Sequence, residues 1–343
     1  MEENKLLAAF TTFGIGGPAR WFVSARSEDE IVEACEWARS RGLPLFILGA
    51  GSNVLISDAG FPGLVLQIAL KGVEEQDIGE SRVLFRVEAG EDWDTFVQRA
   101  VDENCAGIEC LAGIPGTVGG TPVQNVGAYG QEVAQVIGRV RAFDTRERRM
   151  VELSAAECEF SYRKSRFNST DRDRFIITRV SFQLTRNGKR SFHYADLLRE
   201  FGPETNPVLP EVASAVRRIR KGKGMLIVPG DPDCRSAGSF FKNPIVDTAQ
   251  AERIAEIAGK EPPRYGAGEG QVKLSAAWLI EQSGFRKGSE AGNAGISTRH
   301  TLALINRGGA TANEILNLAA RIHHTVEERF GVVLQPEPVF VGF

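Results

Sequence analysis

Three glycine-rich loops in the first 130 residues restrict what this chain can fold into more than any other feature. They are Gly14-Ile-Gly16-Gly-Pro-Ala19, Gly49-Ala-Gly51-Ser-Asn53 and Ile114-Pro-Gly116-Thr-Val-Gly119-Gly120. The first has the spelling G-x-G-x-x-A of the dinucleotide-binding fingerprint. That fingerprint needs a strand before it and a helix opening at the glycines, whose N-terminus holds the pyrophosphate. Here the glycines lead into Ala19–Ala25 (ARWFVSA), aromatic and β-branched and therefore strand-like. A Rossmann reading fails on context. The second loop follows a good strand but runs into Val54-Leu55-Ile56, again strand-like. The third precedes the polar turn Gln124-Asn125-Val-Gly127-Ala-Tyr129-Gly130. No G-K-[ST] P-loop is present. Loops between strands can still bind phosphate, because successive backbone N–H groups form an anion-binding nest without a helix dipole. Any one loop alone is more simply a tight turn. Three of them, in a chain with 37 glycines among 343 residues, where about 7% is typical, point to a large phosphate-bearing cofactor.

Around these loops the pattern alternates between strand and helix. Ser27 with Glu30 spells a capping box, and Ile31, Val32, Ala34, Cys35 and Ala38 form the inward face of a helix that stops at Gly42. Pro44–Leu48 and Gly63–Leu70 read as strands, so the opening segment predicts a small β-α-β unit. Arg82–Ala89 alternates strictly, and a helix capped at Asp92 follows with Trp93, Phe96, Val97 and Ala100 on one face. A hairpin is expected around Asp144–Arg148, a strand at Phe175–Leu184 and a helix at Glu211–Arg220. The basic run RRIRKGK at the end of that helix reads as a solvated terminus. From about residue 224 helices are expected at Asp247–Ala258, Val272–Ser283 and Thr311–Phe330. The chain then finishes as a strand, Val333–Val341, made an edge or bent strand by Pro336 and Pro338.

Composition narrows the function classes. Lys+Arg 41 against Asp+Glu 44 gives a net charge of −3, so no basic footprint for nucleic acid or an anionic membrane is visible. Five scattered cysteines without a C-x-x-C argue for a reducing compartment and against a disulfide framework or a metal site. The start lacks the signal-peptide pattern, and no stretch approaches ~18 uninterrupted apolar residues. The expectation is a soluble, cytoplasmic, mixed α/β protein, monomeric and without nucleic-acid or membrane partners.

Catalytic candidates are few. The four histidines (His193, His300, His323, His324) lie in the second half, and neither H-E-x-x-H nor G-x-S-x-G occurs. Three polar residues stand out by context. Ser239 lies between a glycine and two aromatics in Gly238-Ser-Phe-Phe-Lys-Asn243, Arg163 lies in Tyr162-Arg-Lys-Ser-Arg-Phe167, and Glu337 lies between two prolines. By residue chemistry alone, each is more simply structural: a turn serine, a surface arginine and an exposed strand carboxylate.

Seven motifs in order change that balance. TTFGIGGPA (Thr11–Ala19), LGAGSN (Leu48–Asn53), IPGTVGGTPVQNVGAYG (Ile114–Gly130), SYRKSRF (Ser161–Phe167), AGSFFKNP (Ala237–Pro244), VKLSAAWLIEQSG (Val272–Gly284) and LQPEPVFVG (Leu334–Gly342) resemble the UDP-N-acetylenolpyruvoylglucosamine reductase (MurB) family. The resemblance implies an α+β chain: a two-lobed FAD-binding fold of the vanillyl-alcohol-oxidase (PCMH) type plus a C-terminal α+β substrate-binding domain. The implied boundaries are 1–71 for lobe 1, joined by the C-terminal strand 335–343, then 72–223 for lobe 2 and 224–334 for the substrate domain. The PCMH-type FAD domain would cover roughly 16–187.

The same resemblance implies an enzyme of peptidoglycan synthesis, and hence of cell-wall biogenesis and division. It would use non-covalent FAD and NADPH as co-substrate to reduce an enolpyruvyl sugar nucleotide. Gly49, Ala50, Gly51, Ser52, Asn53, Val54 and Leu55 would bind the cofactor. So would Ile114, Pro115, Gly116, Gly119, Gly120, Gln124, Asn125, Gly127 and Ala128. Arg163 matches the family's stabiliser of negative charge, Ser239 its proton donor and Glu337 its cooperating carboxylate. Tyr162, Tyr194, Lys223, Asn243, Tyr265 and His300 match substrate-contacting positions. Val339 stands where the family has a second basic residue. An oxidase or dehydrogenase of the same fold acting on another substrate is the alternative.

Overall fold

The computed structural model describes residues 1–188, 195–202 and 205–343. The chain divides into two compact units: Met1–Lys5, Ala19–Ala50 and Pro62–Lys221 form the first, and Leu6–Pro18, Gly51–Phe61 and Gly222–Phe343 the second.

Among the described residues the first unit holds two large sheets, a two-stranded pair and four α-helices. Helix α1 (Glu28–Ser40) begins where Ser27 Oγ accepts the Glu30 N–H at 3.2 Å. The Glu30 carboxylate reaches back to the Arg26 N–H, one residue before the cap. Three acidic residues in the first turn suit the positive end of the helix dipole, and Ile31, Ala34, Cys35 and Ala38 are buried. The expected β-α-β unit is more elaborate. Its four-stranded sheet runs Glu2–Leu6, Pro18–Ala25, Phe61–Ile68, Leu45–Leu48, so Phe61–Ile68 separates the two strands flanking α1. Phe61–Ile68 pairs in parallel with Leu45–Leu48, Leu64 facing Leu45.

The second sheet is antiparallel, ordered Arg149–Ser154, Ile137–Asp144, Phe175–Arg186, Arg82–Glu88, Val73–Asp77, with Cys105–Ala106 on Phe175–Arg186. The hairpin at Asp144–Arg148 forms as the sequence predicts. Asp144 Oδ1 accepts the Arg146 and Glu147 N–H groups, and Arg148 takes φ +55°. Helix α2 (Trp93–Asp102) is capped by Asp92 and buries Trp93, Phe96 and Val97. Trp93 and Phe96 pack on Phe182, and Phe96 also on Phe85. Each such ring contributes about 1.5–3 kcal/mol through burial. Helix α3 (Ala195–Phe201) and helix α4 (Leu209–Gly222) complete the unit. The basic end of α4 departs from its expected solvated character: Arg220 is buried, 9% exposed.

The second unit surrounds its own core. Two three-stranded sheets are ordered Ile245–Asp247, Gln271–Leu274, Arg264–Gly266 and Glu290–Ala291, Ala294–Ile296, Leu304–Asn306. Helix α5 (Thr248–Ala258) is capped by Asp247 and ends on Gly259 at φ +68°. The stretch Val272–Ser283, expected as one helix, is a strand followed by the short helix α6 (Ala276–Gln282). Ser275 makes the break by accepting the Trp278 N–H. Helix α7 (Ala312–Phe330) opens with a Thr311–Glu314 capping box and buries Ile315, Leu318, Ile322 and Val326. The terminal strand is shorter than expected. Only Val339–Val341 pairs, in parallel with Val54–Ile56, because Pro336 and Pro338 lack the N–H a ladder needs. Among the described residues no helix is long and apolar enough to cross a membrane.

Candidate active site

The second glycine loop connects two strands, Leu45–Leu48 and Val54–Ile56. Among the described residues, the backbone N–H groups of Gly49, Ala50, Gly51 and Ser52 donate to no protein acceptor. Both glycines are sterically required. A Cβ on Gly49 would sit 2.8 Å from Thr117 Oγ1, and one on Gly51 would sit 1.8 Å from the Phe10 carbonyl oxygen. Gly51 also holds φ +63°, a left-handed conformation that other residues adopt at a cost. Four consecutive unsatisfied peptide donors on residues that cannot grow side chains suit a pyrophosphate. These residues fit a dinucleotide cofactor.

The third loop works differently. The Val118, Gly119 and Gly120 N–H groups donate to the Glu91, Ala89 and Thr117 carbonyls at 2.9, 2.9 and 3.0 Å, and the Gly116 carbonyl accepts the Trp93 N–H at 3.1 Å. Gly119 therefore serves close packing, since its Cβ would meet Ala89 Cβ at 2.6 Å. Ile114 and Pro115 lead into Gly116, which takes φ +149°. Beyond them Gly127–Ala128 pairs with Gln131–Glu132, and Gln124 and Asn125 occupy the turn before that pair.

Tyr162 and Arg163 form the tip of a tight turn closed by a Ser161–Lys164 bridge, with Arg163 at φ +54°. Arg163 Nη2 donates to the Gly127 carbonyl at 2.9 Å, and its guanidinium lies 5.7 Å from the Tyr162 ring centre. The structure thus brings Arg163, with Tyr162 beside it, to the polar turn that follows the third loop. It also adds Arg220, which the sequence reading missed. Arg220 Nε donates to the Gly113 carbonyl at 3.0 Å, and Asp94 Oδ1 accepts the Gly113 N–H at 2.6 Å. Burial pulls the Arg220 guanidinium below its usual range, Tyr129 and Asp94 oppose this, and Arg163 adds to it. A signal existed: Arg220 continues the i, i+4 stripe of Val212 and Val216 that faces the core.

In the second unit, Ser239–Lys242 runs antiparallel beside Gln335–Glu337. The Glu337 N–H donates to the Phe240 carbonyl at 2.8 Å and the Lys242 N–H to the Gln335 carbonyl at 2.9 Å. Glu337 thus lies opposite Phe240, and half-buried Ser239 is the next residue along the same segment. Asn53 joins them, its Nδ2 donating to the Glu337 carbonyl at 3.3 Å while its own carbonyl accepts the Val339 N–H at 2.9 Å. Val54 and Leu55 continue from it into the strand beside Val339–Val341.

His300 is tied to the same region, because the Phe240 N–H donates to the Leu302 carbonyl at 2.7 Å. His300 Nδ1 accepts the Leu302 N–H at 3.0 Å, which places the ring proton on Nε2. Burial, then the charges of Lys223 and Lys287, lower its pKa to about 4, so it is a neutral donor at physiological pH. Lys287 had no signal in the sequence beyond being one more lysine. Asn243 Oδ1 accepts the Ala276 N–H at the start of α6. Tyr265 is 41% exposed on the strand Arg264–Gly266, and among the described residues no hydrogen bond ties it to Ser239 or His300. Tyr194 lies outside the described residues. The five cysteines are all buried with their thiols pushed up by burial, Cys35 and Cys158 to about 12. None is a nucleophile at neutral pH.

Glycine loops on strand ends, with free donors and without a helix N-terminus, define a class of protein that holds a phosphate-bearing cofactor between strands. Residues 19–152 match the model of the FAD binding domain. Residues 231–341 match the model described as UDP-N-acetylenolpyruvoylglucosamine reductase, C-terminal domain. The chain is 47% identical over 349 residues to the UDP-N-acetylenolpyruvoylglucosamine reductase of Thermobifida fusca, covering 99% of this chain and 98% of that one. It is 46% identical to the enzyme of the same name from Streptomyces coelicolor, covering 98% and 89%. The crystal structure of UDP-N-acetylenolpyruvylglucosamine reductase from Thermus caldophilus superposes with a TM-score of 0.68 at 28% identity, covering 99% of this chain and 98% of that one. The chain belongs to the UDP-N-acetylenolpyruvoylglucosamine reductase family.

Proposed function

We propose that this protein catalyses the reaction of its family, the NADPH-dependent reduction of UDP-N-acetylglucosamine enolpyruvate to UDP-N-acetylmuramate in peptidoglycan precursor synthesis. It is an FAD-dependent oxidoreductase. When bound, FAD takes hydride from NADPH and supplies it to the substrate's double bond. The amides of Gly49–Ser52 would hold the pyrophosphate, with Ile114–Gly116 and Gly127–Ala128 along the rest of the cofactor. Residues 1–71 and 72–223 would be the two FAD-binding lobes and 224–334 the substrate domain.

The chain's own residues account for the substrate chemistry. Hydride addition to an enol ether bearing a carboxylate builds negative charge on that carboxylate. The Arg163 guanidinium stabilises this charge, and Glu337 orients the same end of the substrate. Ser239 Oγ gives the proton to the α carbon. Lys223 and His300 contact the anionic sugar nucleotide, together with Tyr162, Tyr194, Asn243 and Tyr265. The observation that supports this reading is the antiparallel bridge that lays the Ser239–Lys242 segment along Gln335–Glu337. The setting is the cytoplasm, with cell shape and division depending on the product, and the working form is a monomer.

Anaerobic spectroscopy tests the reading. Purified protein should be yellow, bleach with NADPH, and recover its colour when the enolpyruvyl sugar nucleotide is added. Colourless protein that FAD cannot reconstitute would sink it, as would bleached protein that the sugar nucleotide leaves bleached.

A further inference from the structure

Resting on that reading, the inference concerns what holds Arg163. Asn125 is 1% exposed and adopts φ +45°, a conformation asparagine tolerates better than most residues. Its side-chain amide is used within the protein. Nδ2 donates to Glu132 Oε2 at 2.7 Å and to the Ser161 carbonyl at 3.1 Å, while Oδ1 accepts the Ala134 N–H at 3.1 Å. Both amide hydrogens are thereby spent, and the three partners fix which end of the amide is nitrogen. Ser161 is the residue that opens the Arg163 turn, and its carbonyl also accepts the Lys164 N–H at 3.1 Å. A second tie runs parallel to the first. Ser165, fully buried, donates from Oγ to the Val123 carbonyl at 2.6 Å and accepts the Phe167 N–H at 3.1 Å. The turn is closed from behind by Asn168, whose Oδ1 accepts the Ser165 N–H at 2.9 Å and whose Nδ2 donates to the Arg163 carbonyl at 3.3 Å.

We propose that Asn125 and Ser165 are positioning residues that fasten the Tyr162–Arg163 turn to the segment Val123–Asn125 after the third glycine loop and so fix the Arg163 guanidinium in its working place. The logic is that of a short lever. Arg163 is a long side chain at a left-handed backbone position, and its own bond to the Gly127 carbonyl fixes only the guanidinium end. The backbone end is fixed by the bonds at Ser161 and Ser165, on either side of it. Loss of either tie leaves a charged group able to wander by about an ångström, and displacement of that size costs on the order of 10²-fold in rate. The half-reaction that needs Arg163 should suffer and the other should not.

The test is a double-mutant cycle on holoenzyme, read in both half-reactions. Asn125→Ala should slow flavin reoxidation by the enolpyruvyl sugar nucleotide roughly 10²-fold more than it slows bleaching by NADPH. In an Arg163→Lys background, Asn125→Ala should add almost nothing, because a residue that acts through another loses its effect when that other is removed. Ser165→Ala carries the same expectation through the same cycle, should Asn125→Ala not retain FAD. Amide hydrogen exchange gives a readout apart from activity: the Lys164 amide should exchange faster in Asn125→Ala, with melting temperature little changed. Effects of Asn125→Ala and Arg163→Lys that simply add, or equal slowing of both half-reactions, would overturn the positioning role alone. Arg163→Lys reoxidising at the parent rate would overturn the role of Arg163 itself, and this proposal with it.

Discussion

Gly51 sits with a carbonyl oxygen where any side chain would begin, at 1.8 Å from a would-be Cβ. Gly51→Ala must therefore push the loop away from Phe10, in addition to about 1–3 kcal/mol of backbone strain at φ +63°. FAD affinity, measured by flavin fluorescence on titrating apoprotein, should fall at least tenfold. Ser239→Ala should bleach with NADPH at near the parent rate and then reoxidise ~10²–10⁴-fold more slowly, the range typical of general acid catalysis. Ser239→Cys should recover part of this, and parent-rate reoxidation of the alanine variant would move the proton elsewhere. His300 makes a prediction about pH. Its pKa falls from an ordinary 6.5 to about 4 on folding, so the unfolded chain binds the proton first. Its stabilising share is complete above 6.5 and is lost as pH falls towards 4. His300→Gln should flatten the acid limb of a melting-temperature profile in that window; an unchanged limb would deny the buried neutral ring. At this scale the sequence named Arg163, Ser239 and Glu337 through motif spelling. It did not show that Arg220 is buried, because arginine at a helix end is usually solvated and burial is a property of what packs against it.

Elements were most legible where a local signal fixed their ends. Ser27 and Asp92 each accept a backbone N–H three residues on, as their sequences predict, and Thr311, read as the first helical residue, turns out to cap α7 in the same way. Thr311→Ala should cost about 1 kcal/mol, and Ile322→Ala, in the fully buried stripe of α7, about 2–5 kcal/mol by chemical denaturation. Legibility failed where a strand and a helix abut. Val272–Leu274 has helical neighbours in sequence, and only its pairing with Ile245–Asp247 and Arg264–Gly266 makes it a strand. The excursion from Cys158 to Arg174 carries the Arg163 turn and is braced by ions. Asp171 accepts from Arg166 and Arg174, and Asp144 from Arg174. These arginines hold both carboxyls below the ordinary 3.8. Their contribution is present above that value and lost as pH falls below it. Asp171→Asn should lower the melting temperature at pH 7 and narrow its gap to the parent as pH falls through 3.8; a constant gap would speak for packing rather than charge.

The whole molecule handles two nucleotides that share a diphosphate and act on one flavin. Steady-state kinetics should be ping-pong, with inhibition by excess substrate; intersecting lines diagnostic of a ternary complex would contradict this. The architecture was only partly legible at this scale. Motif order implied lobes, but the second unit gathers three stretches of chain, Leu6–Pro18, Gly51–Phe61 and Gly222–Phe343, and no periodicity reports which distant segments meet. The pairing of Val54–Ile56 with Val339–Val341 has a consequence for biosynthesis. Ribosomes add about 5–20 residues each second, so the earlier strand waits roughly 15–60 s for its partner to be made. Throughout that interval an apolar tripeptide with unpaired edges is exposed on the nascent chain, where it invites chaperones and intermolecular pairing. Slowing translation late in the message should therefore raise aggregation more than slowing it early.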